Sequence, residues 1–437
     1  MSTNFVELPS ARHFALKHCT LPKISVNGAD DFAAREGLIK ADLIIADGKV
    51  DQILPYGSAD ATLPAADLRD GMVWPCFAEL HTHIDKGHIW ERRRNPDGTF
   101  MGALENVKLD REANWSADDV AARMEFSLKT AYAHGTALLR THLDSLPPQH
   151  RISFEVFSAM REKWKGRIDL QAVALFSTEM IFEPFFDDLV QVIRDHGGLL
   201  GGVTMMLPDL DAQLDKMFRT ASDNGFDIDL HVDETEEREV LTLKKIAEAK
   251  IRNGYEGKVT VGHCCSLARQ DEETAKRTID VVAKAGLSVV SLPMCNMYLQ
   301  DRHTGRTPRW RGVTLFKELT AAGVQTCVSS DNTRDPFYAY GDLDGVEVVR
   351  EAVRILQLDH PLDEAARIMT RTPAEIMGVA DRGVIAEGGP ADLVLFSARR
   401  WSEFLSRPQA DRIVMRNGMG IDRSLPDYRE LDPLMDK

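Results

Sequence analysis

Residues 81–88 read His-Thr-His-Ile-Asp-Lys-Gly-His, so three of the 13 histidines in a 437-residue chain fall within eight positions. They follow directly on an apolar run, MVWPCFAEL. On an extended strand, residues i and i+2 face the same side, about 7 Å apart at roughly 3.3 Å per residue. His81 and His83 can therefore reach one cation together. The His-x-His pair alone is a weak signal and reads equally well as two solvated loop histidines. It gains weight from other apolar runs that end in residues of the same chemistry: His142 and Asp144 in TALLRTHLD, His231 in FDIDLHVDE, His263 in KVTVGHCC, and Asp331 with Asn332 in VQTCVSSDN. Three histidines and an aspartate that leave a position for water make a catalytic metal site and not a closed structural one. Nitrogen and oxygen ligands suit one divalent ion, Zn²⁺ or Fe²⁺, without choosing between them.

Glu234 stands just beyond His231 and can hold a proton near bound water, the work of a general acid or base. The competing reading is an N-cap for the acidic start TEERE, a part that Asp233 or Thr235 can also play. We assign catalysis to Glu234 and a structural part to Asp233. His142 reads as a core or supporting histidine, His88 as a loop residue, and Asp85 as an acceptor behind the ligand histidines. The loop QDRHTGRTPRWRG (300–312) suits either a solvated turn or a flap over the site.

Eight apolar runs position these residues: 72–83, 136–144, 168–177, 199–206, 226–234, 258–265, 287–294 and 324–332. Helical stretches separate them, for example 236–254, with apolar residues at helical spacing and Gly254 as a stop. Eight β/α units imply an α/β fold, a (β/α)8 barrel, with a doubly wound open sheet as the alternative. In a barrel, chemistry belongs at the C-terminal strand ends, where these polar residues fall. Strand-like segments near both termini (LIKADLIIADGKVDQILPYG, ADLVLFSA, DRIVMRNGMG) are expected to join as a small β-sheet domain. The expected division is 1–71 and 381–437 as two parts of a β-sandwich, with 72–380 as the catalytic barrel.

The net charge of −15, from 68 acidic and 53 basic residues, disfavours non-specific binding to nucleic acid or anionic membrane. No run approaches the roughly 20 apolar residues of a membrane span, and the start lacks an apolar signal core. The six cysteines contain no C-x-x-C pair, so reduced thiols in a cytoplasmic protein are expected. Barrel enzymes of this size often self-associate, but no surface pattern here indicates a homo-oligomer.

The segments HTHIDKGH, LHVDETEE, TVGHCCSLA, LPMCNMYLQDRHTGRTPRWRGV and SSDNTRDPFYAYGDLD together resemble the cytosine deaminase branch of the amidohydrolase superfamily, in the order the family has them. The resemblance implies a metal-dependent (β/α)8 barrel with one catalytic ion held by His81, His83, His231 and Asp331. It implies that Glu234 passes a proton to a ring nitrogen and that His263 orients the attacking water or hydroxide. Asp331 would accept that water's proton, and Phe337 would lie beside the substrate ring. Hydroxide would add to the C–NH₂ carbon of an amino-substituted nitrogen heterocycle and release ammonia. Two positions depart from the cytosine enzymes. Ser177 stands where they carry glutamine, and a hydroxyl offers no two-point amide contact. Asn332 stands where they carry a second aspartate. The sequences SDN and HTHIDK are closer to relatives that hydrolyse N-alkylamino triazines, such as N-isopropylammelide hydrolases. The expected substrate is therefore a cytosine-like pyrimidine, a 5-substituted or fused relative, or an aminotriazine. Ring opening of a cyclic amide, as in hydantoinases, is the alternative within hydrolases, although LLGGVTMM lacks the lysine that bridges their two metals. A metal-stabilised binding protein without turnover would not need Glu234, His263 and Asp331 together.

Overall fold

The structure is a computed structural model and describes residues 5–435. In chain order its strands are β1 (His13–Pro22), β2 (Leu38–Ala46), β3 (Lys49–Pro55), β4 (Ala65–Asp67), β5 (Met72–Pro75), β6 (Phe77–Thr82), β7 (Thr136–Asp144), β8 (Asp169–Leu175), β9 (Leu200–Val203), β10 (Ile228–Val232), β11 (Val259–His263), β12 (Ser288–Ser291), β13 (Gln325–Val328), β14 (Leu393–Phe396), β15 (Ile413–Arg416) and β16 (Met419–Gly420). They belong to two compact units. Of the described residues, the first comprises 5–79, 129–138 and 344–425, and the second 80–128, 139–343 and 426–435.

In the first unit, strands from both halves of the chain share one sheet in the order β16-β15-β14-β5-β1-β2-β3, with β4 beside β1. The join is the antiparallel pair of β5 with β14, Trp74 opposite Val394. Its buried face carries Phe14, Leu16, Leu43, Ile45, Leu393, Leu395 and Met415. The alternation in β1 and β2 that lets one face bury is the period-2 pattern of a strand.

The functional strands form a curled α/β sheet. β13-β12-β11-β10-β9 run parallel in one stretch, and β6-β7-β8 form another. Isolated parallel bridges link the stretches at Val173–Leu199, Ser177–Val203 and Thr82–Asp331. Each parallel neighbour requires a crossover, and most crossovers are helices, such as Gln149–Trp164, Leu210–Asn224 and Glu272–Ala285.

Two local expectations shift. The apolar run 72–83 is two strands and not one. β5 pairs with β14 through Pro75, then Cys76 N bonds Asp392 O at 3.0 Å, and Phe77 N turns to Gly135 O at 2.9 Å. The change of partner falls between Cys76 and Phe77. The helix expected over 236–254 spans Thr242–Arg252 only. Asp233 explains its late start: its carboxylate accepts from Thr242 N at 3.2 Å and Leu243 N at 3.0 Å, capping the first turn. Among the described residues no helix is long and apolar enough to cross a membrane.

Candidate active site

His81 lies within β6 and His83 just beyond it, His231 lies in β10, and Asp331 follows β13 by three residues. The curled sheet brings their donor atoms together. His81 Nε2 is 3.1 Å from His231 Nε2, which is 3.2 Å from His83 Nε2. Asp331 Oδ1 is 3.2 Å from His83 Nε2 and 3.5 Å from His81 Nε2. All four side chains are buried. Burial holds the three imidazoles well below their usual pKa, so they are neutral and carry lone pairs. Asp331 buries both carboxylate oxygens without a hydrogen-bond partner among the described residues. Ligands about 2.0–2.1 Å from a tetrahedral ion lie about 3.3 Å from one another, which is the separation seen here. The donor set therefore fits one divalent cation, and a cation would relieve both the facing lone pairs and the buried carboxylate.

His263 closes β11, and one donor atom each from His81, His231 and His263 also lie within 4.8 Å of one another. A single amide ties His263 to Glu234. Asn296 Nδ2 is 2.9 Å from His263 Nδ1 and 3.3 Å from Glu234 Oε1. In this orientation Nδ2 donates to both. His263 then accepts at Nδ1 and carries its own proton on Nε2, since burial pushes its pKa down to about 3. That Nε2 is buried with no partner among the described residues. Burial and the neighbouring Asp331 raise the Glu234 carboxyl well above its usual range. Gln300 Nε2 fixes the Glu234 backbone at 3.2 Å. Asn296 was not among the residues singled out from the sequence; its position in LPMCNMY reads as an ordinary helical residue.

The other expected residues are distributed around this centre. The Phe337 ring packs 5.4 Å from Phe100 and 4.9 Å from the Lys86 ammonium. Burial works against the charge of Lys86, but Asp144, Asp335, Asp85 and Asp331 outweigh it and raise its pKa. Lys86 is thus a fixed buried cation, and no role was expected of it. The Asn332 amide is spent on two neighbours: Nδ2 donates to Asp335 Oδ2 in its own loop at 2.7 Å, and Oδ1 faces Cys295 Sγ, in the helix Pro293–Leu299, at 3.6 Å. Asp335 Oδ1 in turn accepts from Phe337 N at 2.8 Å. Ser177 is half-buried before the turn Thr178–Phe182, and its hydroxyl makes no cap hydrogen bond. His142 is fully buried, its ring 4.0 Å from that of His81 and its Nε2 3.7 Å from Asp229 Oδ1. Asp229 Oδ2 accepts from Arg140 at 2.7 Å. Asp85 does not reach the ligand histidines through a hydrogen bond; its Oδ2 accepts from Asp144 N at 2.8 Å and Ser153 Oγ at 3.3 Å. The 300–312 loop folds around buried Asp301, which binds Arg306 and accepts from Trp310 N at 3.1 Å. With Glu236, Glu237 and Arg269, this loop lines a cavity of about 500 Å³.

The strand ends are also strained. Asp233, His263, Cys264 and Asp331 have φ of 51°, 68°, 51° and 65°, left-handed conformations that non-glycine residues rarely adopt. Such strain concentrates where side chains are held for function.

Residues 151–418 match the model of the amidohydrolase family. The chain belongs to that family. A pterin deaminase from Rhizobium rhizogenes (strain K84) is 70% identical over 436 residues, covering 100% of both chains. An N-isopropylammelide isopropyl amidohydrolase from Pseudomonas sp. (strain ADP) is 26% identical, covering 80% of this chain and 86% of its own. Among solved structures, a 5-methylcytosine deaminase from Klebsiella pneumoniae liganded with 5-fluorocytosine superposes with a TM-score of 0.80 at 21% identity, over 95% of this chain and 98% of that one. This family member is a hydrolase of cyclic C–N bonds, a hydrolytic deaminase of an amino-substituted heterocycle.

Proposed function

We propose that this amidohydrolase deaminates a pterin: water replaces the 2-amino group of the fused pyrimidine ring, leaving a carbonyl and releasing ammonia. The observation that carries the reading is the 70% identity to a pterin deaminase along the whole chain. The fused ring lies within the class expected from Ser177 and Asn332, whose side chains differ from those that hold a single pyrimidine.

We read the curled sheet as a closed (β/α)8 barrel over about 72–380, a reading supported by the three bridges that link its two stretches. We read 1–71 and 381–437 as a terminal β-sandwich, supported by the single sheet that contains both β1–β4 and β14–β16. His81, His83, His231 and Asp331 would hold one divalent ion, Zn²⁺ or Fe²⁺. When bound, such an ion lowers the pKa of its water, so hydroxide is available near neutral pH.

The remaining steps belong to this chain's side chains. His263 offers its Nε2 proton as a hydrogen-bond donor to the attacking oxygen. Asp331 accepts the proton which that oxygen sheds. Glu234, its carboxyl raised by burial, gives a proton to the ring nitrogen beside the C–NH₂ carbon as that carbon becomes tetrahedral. Relay of a proton to the amino group then lets it leave as ammonia. Asn296 holds Glu234 and His263 in register through one nitrogen. Phe337 and Lys86 bound the ring's side of the site. The buried free thiols suit a reducing cytoplasm.

The test is ammonia release from pterin, cytosine and an aminotriazine, with metal-replete and chelated protein. Pterin should be preferred by about 100-fold or more in kcat/KM, as expected when a site's polar groups match one ring and not another. Chelation should abolish the activity. No ammonia from pterin, or a ring-opened product, overturns the proposal.

A further inference from the structure

The segment from Pro426 to Met435 lies against the two loops that supply the site. A 3-10 turn, Tyr428–Leu431, opens with a capping box between Asp427 and Glu430, and Leu431 is buried. Leu434 O accepts from Arg92 at 3.2 Å. Between these anchors, Tyr428 touches both active-site loops. Its hydroxyl donates to Asp342 Oδ1 at 3.0 Å, and the Arg334 guanidinium sits 4.3 Å over its ring. These two contacts grip both stems of the 331–343 loop, which carries Asp331, Asn332 and Phe337. The ring also meets Phe126 at 5.4 Å and His88 at 6.5 Å between centroids. His88 belongs to the 83–93 loop, which carries His83 and Lys86. The two loops are already zipped, His88 N to Thr333 O at 3.0 Å and Trp90 N to Arg334 O at 2.9 Å. Tyr428 lies where that zip meets the far stem.

We propose that Tyr428 is a positioning residue that holds the Asp331–Leu343 loop in its substrate-binding conformation. Arg334 and Asp342 stand near the two ends of the loop, so a side chain that binds both adds to the backbone zip and bears on how often the loop is in place. A ligand's apparent affinity falls in proportion to the fraction of protein in the competent state. A cation–π contact, a hydroxyl hydrogen bond and a ring contact, lost together, shift such an equilibrium by about tenfold or more. The chemistry of a bound substrate is unchanged once the loop has closed on it. The loss therefore falls on KM and spares kcat.

The test compares full-length Tyr428→Ala and Tyr428→Phe, and its activity arm rests on the deaminase reading above. Tyr428 is 44% exposed, so the substitution opens no enclosed cavity. In Tyr428→Ala, KM should rise about tenfold with kcat within about threefold, and amide hydrogen exchange across 331–343 should quicken about tenfold. Metal content should remain that of the parent. Tyr428→Phe keeps the ring contacts and should restore KM and exchange to within about threefold. Parental exchange in Tyr428→Ala, or a loss confined to kcat, overturns the proposal. Exchange needs no substrate, so it decides the matter even if pterin proves to be the wrong ring.

Discussion

Glu234 and His263 share one amide nitrogen, so a change at Asn296 bears on both and a change at Glu234 on one. Glu234→Gln should keep the metal and lose about 10²–10⁴-fold in kcat, the usual share of a general acid or base; elemental analysis and steady-state kinetics check both parts. His81→Ala should lower the metal:protein ratio, because one of four donors 3.1–3.5 Å apart is removed. Asn296→Leu preserves volume but leaves a buried carboxyl and a buried imidazole without their shared donor. Its kcat/KM should fall about 10–100-fold, the range for groups that orient a reacting residue. His81, His83, His231 and Asp331, whose donor atoms the structure brings together, could be picked out in the sequence because each falls at or near the end of an apolar run, as does Glu234. Asn296 and Lys86 could not. An amide inside PMCNMYL carries no chemical label until its partners, 62 and 33 residues away, are known. A lysine in HTHIDKGH reads as solvated until Asp144 and Asp335 are brought beside it.

At the scale of elements, the eight apolar runs all contain strands, because parallel buried strands announce themselves as unbroken apolar stretches. Their ends were less legible. The pattern over 236–254 has helical spacing throughout, yet the chain waits until Thr242 for a cap, and the cap is Asp233, nine residues earlier. Local periodicity cannot reveal a carboxylate that returns across a loop. Asp233→Ala should destabilise the protein by about 1 kcal/mol, the cost of a lost N-cap, while Asp233→Asn retains an accepting oxygen and should cost a few tenths. Chemical denaturation at neutral pH separates the two variants.

At the scale of the molecule, the first unit contains a charge pair between buried Arg412 and half-buried Asp344. Asp344 caps the helix Gly345–Leu356 and bonds Arg412 at 2.6 Å. Burial opposes its charge, but Arg412 prevails and holds the carboxyl at about 2, against an ordinary 3.8. A depressed carboxyl stabilises the fold above its unfolded pKa, and this contribution is lost as pH falls from about 4 to about 2. The difference corresponds to about 2 kcal/mol. Asp344→Asn should lower stability at pH 7 by at least that amount and flatten the pH dependence between 4 and 2, as read from urea midpoints. The joint sheet has a consequence during biosynthesis. β5 meets β14 only after roughly 320 further residues have left the ribosome, a delay of about 15–60 s at ordinary elongation rates. Through that interval the β5 edge is exposed on the nascent polypeptide, so slowed translation or missing chaperones should favour aggregates seeded there.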